Sequence, residues 1–102
     1  MYQPKTTEDY LELVDQAIFE VQDLVRCAEE EDDGIVEFAA QLPVYRELAE
    51  ALQTLRAEVA AGTHKFGDKQ DLPFMHLVRQ WRSRIPFHVL LGALNTAHKE
   101  GF

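Results

Sequence analysis

Apolar positions along the chain recur at helical spacing in four segments. In the first, Tyr10, Val14, Ala17, Val21, Leu24 and Ala28 follow one another at intervals of four, three, four, three and four. That rhythm keeps one face of an α-helix apolar. Leu11, Ile18 and Val25 widen the stripe on one side, which suits a globular bundle better than a narrow two-stranded coil. Thr6 or Thr7 is placed to cap this helix, and Glu8, Asp9 and Glu12 fall in its first turns, where acids complement the helix dipole. The pattern predicts a helix over residues 7–31, stopped by Gly34.

The second segment spans 35–61. Phe38, Leu42 and Tyr45 keep helical spacing across Pro43, and Leu48, Leu52, Leu55 and Val59 continue it to Gly62. A proline in a helix interior removes a backbone donor and clashes with the preceding turn. This segment therefore reads as a helix kinked at Pro43, or as two pieces split there. Residues 62–71 hold two glycines and no apolar period, the mark of a loop.

A third helix is predicted over 72–83, capped by Asp71 with Pro73 in its first turn, and with Phe74, Leu77, Val78 and Trp81 inward. The residue before a proline avoids the helical region, so Ser83–Pro86 should break the chain. A fourth helix follows over 86–100, with Phe87, Leu90, Leu91 and Leu94 facing inward and Val89, Ala93 and Ala97 extending that face. No segment alternates apolar and polar residues at strand length. The fold class is all-α: a small up-down antiparallel bundle of four main helices in a single domain, 1–102.

Charge changes the picture. Residues 1–51 carry fourteen acids against three Lys/Arg, three minus fourteen giving −11. Residues 52–102 carry seven Lys/Arg against four acids, seven minus four giving +3. An acidic front and a basic back can attract each other within one fold or between copies. The overall excess of acid argues against nucleic acid as a partner, because phosphate neutralisation supplies most of that affinity.

Candidate chemistry is sparse. The run Glu29, Glu30, Glu31, Asp32, Asp33 ahead of Gly34 faintly echoes a calcium loop. The twelve-residue ligand pattern is missing, so it reads as a solvated helix end or a docking patch. Arg79, Arg82 and Arg84 surround Trp81, a pairing that binds nucleic acid elsewhere. Trp81 lies on the apolar stripe, however, and pairing of the arginines with acids of the first helix is favoured. His64, His76, His88 and His98 lack the Glu-x-x-His spacing of metal-binding bundles and read as surface or boundary residues. Cys27, followed closely by acids, reads as an inert, partly buried thiol. A single cysteine suits a reducing, cytoplasmic setting, and the longest apolar stretch, from Ile85 to Leu94, is too short to span a bilayer. Phosphate loops, nucleophile elbows and Cys-x-x-Cys pairs are missing from the sequence.

These observations predict a non-catalytic protein–protein interaction module with no cofactor. Its acidic surface of Glu12, Asp15, Glu20, Asp23, Glu29, Glu30, Asp32 and Asp33 would meet a basic protein partner. An apolar fourth helix and a long seam on the first also predict a homodimer, since a short chain hides limited apolar surface by itself. One alternative is a metal-binding bundle or enzyme built from the histidines with Glu37, Glu47 or Glu50. A second is a nucleic-acid-associated protein using Arg79, Arg82, Arg84 and Lys99.

Overall fold

The computed structural model describes residues 4–30, 36–67 and 69–101; the side chains of 28–30 and 36–41 lie outside that description. Four α-helices carry the described chain: α1 (Thr7–Glu30), α2 (Val36–Ala61), α3 (Met75–Gln80) and α4 (His88–Glu100), with a 3-10 turn at Arg82–Arg84. Among the described residues there is no strand.

Thr6 caps α1: its hydroxyl accepts from the Asp9 amide at 3.1 Å, and the Asp9 carboxylate in turn accepts from the Lys5 amide at 3.2 Å. Two backbone donors at the helix start are thereby satisfied, the return bond going to Lys5, the residue before the cap, rather than to Thr6 itself. The α1 stripe behaves as its spacing dictates, with Tyr10, Val14, Ala17 and Val21 inaccessible to solvent and Leu24 partly buried. The facing stripe of α2 is Tyr45, Leu48, Leu52, Leu55 and Val59, all buried. The two helices pack antiparallel. Asp15 sits opposite Arg56, and Gln22 and Val25 lie across from Arg46 and Ala49, which sets their register. Each fully buried leucine or valine in this seam contributes about 1.5–3 kcal/mol relative to exposure.

Helix α2 is not split: Pro43 lies inside it. Gly62 ends α2 with φ +76°, a left-handed conformation that side chains resist. Its amide donates to the Val59 carbonyl at 3.1 Å, and the Thr63 amide donates to that of Glu58 at 3.0 Å. Those two bonds close the helix end in the six-to-one, five-to-two manner that a glycine permits.

The third helix is shorter than its apolar pattern predicts. It begins at Met75, after a turn in which the Met75 amide donates to the Leu72 carbonyl, and Phe74 rather than Asp71 stands at the cap position. Asp71 is engaged elsewhere, as described below. Trp81 ends α3 and is half-buried, less enclosed than Phe74, Leu77 and Val78. Ile85 is extended at φ −117° and ψ 95°, as a residue preceding Pro86 should be. Helix α4 starts two residues later than predicted, with Phe87 at its cap position.

Helix α4 packs on α1 and α3. The buried Tyr10 hydroxyl donates to the Leu94 carbonyl at 2.9 Å, and the Tyr45 hydroxyl donates to the Arg84 carbonyl at 2.8 Å. These bonds place the end of α4 beside the start of α1, so α4 runs against α1 and alongside α2. Phe87, Leu90, Leu91, Leu94 and Ala97 close the core. Val89 does not extend that face; it is 59% exposed. With Leu90, Leu91 and Leu94 already turned inward, Val89 falls on the far side of a helix that rotates by about 100° per residue.

Candidate functional site

Among the described residues, polar or exposed apolar side chains gather on the outer face of α1, in the groove between α3 and α4, and at the loop of residues 62–71 where it meets α4.

On α1, Glu12, Asp15 and Asp23 are exposed and Glu20 is half-buried. Asp15 pairs with Arg56 of α2, and Asp23 with Arg26 one turn on. Both pairs lie open to solvent, where such contacts contribute about 0–1 kcal/mol. Glu12 and Glu20 form no ion pair among the described residues. Glu29 and Glu30 occupy the last turn of α1, with side chains outside the description; Asp32 and Asp33 lie outside the described residues. At the centre of the acidic face stands Phe19, 66% exposed. Its signal in the sequence is simple. Two residues from both Ala17 and Val21, Phe19 lies about 200° round the helix from the buried stripe. Asp15 and Asp23, four residues either side, are its neighbours on the same face.

Of the arginines around Trp81, Arg79 pairs within the second half of the chain and not with an acid of α1. Arg79 donates to Asp71 at 2.6 Å, and Lys99 approaches the same carboxylate at 3.3 Å. The buried Asn95 amide donates to Asp71 at 3.0 Å and, through its oxygen, accepts the Leu72 amide at 2.8 Å. The Asn95 hydrogen bond, followed by the Arg79 contact, holds the Asp71 carboxyl well below the usual carboxylate range. Arg82 is exposed and makes no ion pair among the described residues. Arg84 lies beside Tyr45, whose hydroxyl is pushed up by burial and pulled part-way back by the arginine's charge. Between α3 and α4 runs an open groove of about 260 Å³, lined by Met75, Val78 and Gly92 together with Arg79, Arg82, His88 and Val89.

At the other end of α4 the structure corrects the reading of the histidines. His98 is 5% exposed and the His64 side chain 8%. Their rings meet through His64 Nε2 and His98 Nδ1 at 2.8 Å, one nitrogen donating and the other accepting. Phe66 packs edge-on to both His64 and Tyr10, and the Gly67 amide donates to the His98 carbonyl at 2.7 Å. The loop is thus strapped over the junction of α1 and α4. Glu58 lies 3.7 Å from His64 Nδ1, on the side of the ring away from His98. A metal held between the two histidines would therefore not reach it. Among the described residues no group of three His, Cys, Asp or Glu side chains is arranged to hold a metal ion. No sequence spacing announces the pair, because its members come from a loop and a helix 34 residues apart.

His76 is exposed, its Nδ1 bonded to the Pro73 carbonyl at 2.8 Å; His88 is half-buried at the groove edge. Cys27 is exposed rather than partly buried. It lies at the edge of the α1 stripe, about 60° round the helix from the partly buried Leu24. Among the described residues no helix is long and apolar enough to cross a membrane.

Comparison of the chain with protein-family models, with curated proteins and with solved structures finds no match, so the functional reading rests on the chain's own geometry and charge.

Proposed function

We propose that the chain is a non-catalytic protein–protein interaction module whose α1 face docks a cationic protein surface. The observation that carries this reading is Phe19, an aromatic ring left in water amid Glu12, Asp15, Glu20 and Asp23. Exposing a phenyl ring forgoes about 1.5–3 kcal/mol of burial. Aromatic side chains are frequent anchors at the centre of interfaces, and surrounding acids speed encounter with a basic partner and fix its register. The lone exposed thiol, Cys27, is compatible with work in a reducing compartment such as the cytoplasm.

The test is a comparative capture experiment. Immobilised wild-type protein and its Phe19→Ser variant are exposed to native extract at low and high salt. Protein retained by wild type at low salt, released at high salt and lost with the variant is the expected result. Equal recovery on both baits would overturn the reading.

A further inference from the structure

The two large hydrophobic side chains left exposed among the described residues are Phe19 and Val89, and their surroundings are opposite in charge. Phe19 stands out from the acidic face of α1. Val89 edges the α3/α4 groove beside Arg82 and His88. We propose that this groove is the receptor for Phe19 of a second copy of the chain, a proposal that rests on the α1 docking reading and names its partner.

Size, polarity and charge agree. The groove, open to solvent on one side, holds about 260 Å³, room for a phenyl ring to lie in it with one edge still wet, since an enclosed apolar cavity of about 150 Å³ takes a whole benzene. Its lining is apolar at Met75 and Val78, both buried, and at Gly92, which adds no side chain. Arg82 at its edge makes no ion pair within the described chain, and Glu12 and Glu20 on the α1 face make none either. Docking Phe19 brings these uncompensated charges of opposite sign together at the rim of an apolar contact. One contact would then cover both exposed hydrophobics. The same contact cannot form within a single molecule, because Phe19 lies on the solvent side of α1, facing away from the core that α3 and α4 help to build.

Knob and hole are different surfaces, so each copy carries one of each. Two copies can exchange knobs reciprocally, or each can pass its knob to the next. Either way, one defective knob and one defective hole leave a single intact contact in a mixture.

Sedimentation of the purified protein over a range of concentrations, at low and high salt, tests the proposal with Phe19→Ser and Arg82→Glu. Both positions are exposed, and circular dichroism checks that each variant is folded. Wild type should associate with rising concentration, less so at high salt. Each variant should associate about tenfold or more weakly, as interface anchors do when removed. An equimolar mixture of the two variants should form a complex that neither forms alone. A wild type that stays monomeric, a variant that associates as wild type does, or a mixture no better than its components would overturn it. A monomeric wild type that still captures an extract protein through Phe19 would remove the second copy and leave the α1 docking reading standing.

Discussion

Asn95→Ala tests the account of the α3–α4 junction most directly. Asn95 is 7% exposed, and its side-chain oxygen is the acceptor for the Leu72 amide, itself on a residue 3% exposed. Alanine removes that acceptor and leaves a buried backbone N–H with no partner. An orphaned buried donor costs about 1–3 kcal/mol, whereas a hydrogen bond exchanged for one to water costs far less. The Asn95 amide group also donates to Asp71, but that carboxylate is a third exposed and can be hydrated. The expected loss is therefore about 2 kcal/mol, carried almost wholly by the Leu72 amide. For a domain of this size that lowers Tm by roughly 8 °C or more. Urea unfolding followed by far-ultraviolet circular dichroism should show a lower midpoint with an unchanged slope.

Two further variants separate the contributions. Asp71→Ala should cost less than Asn95→Ala. Asn95→Asp keeps an acceptor for Leu72 but sets a second carboxylate against Asp71. Its neutral form is favoured in the fold, so the deficit should be present at neutral pH and shrink as pH falls through the carboxylate range. An Asn95→Ala protein within about 0.5 kcal/mol of wild type, an Asp71→Ala protein damaged as severely, or an Asn95→Asp deficit independent of pH would refute the reasoning.

The remaining predictions concern other parts of the molecule. Tyr10→Phe should cost about 1 kcal/mol, because the Leu94 carbonyl keeps its helical partner, whereas Tyr10→Ala should cost about 3–5 kcal/mol through the cavity it leaves; chemical denaturation distinguishes them. Burial raises the Tyr10 hydroxyl above its ordinary value of 10.0, so its contribution is fully present below that pH and lost as pH rises beyond it. Tyr10→Phe should lessen the alkaline loss of stability. Asp71, held below the ordinary carboxylate range, contributes above that range and loses its contribution as pH falls through it, so Asp71→Asn should flatten the acid side of the stability profile. Cys27 should react completely with an aromatic disulfide reagent in the native state, at a rate close to that in urea; protection by folding would contradict its exposure.

The long helices were legible because their signal is local. A stripe of Tyr45, Leu48, Leu52, Leu55 and Val59 has one way to turn inward, and it does. The third helix is shorter than its sequence suggests because an aspartate two residues before a proline resembles a cap, while the competing partners of Asp71 lie at Arg79, Asn95 and Lys99. Val89 and His98 depart from expectation for a related reason. In a helix as apolar as α4, composition does not say which side is outermost, and a histidine in a last turn looks solvated until a loop folds over it. Phe19 was readable by angle alone. What no spacing could disclose was that an unpaired arginine and a valine would border one groove.

The bond from Tyr10 to Leu94 joins residues 84 positions apart. During synthesis at the ribosome, α1 and α2 are complete well before α4 emerges. The hairpin can zip by near-neighbour contacts, but its inner surface stays wet at one end until α4 is made. Until then the exposed apolar seam is carried by a segment of net charge −11, and like charge of that size opposes the approach of a second such segment.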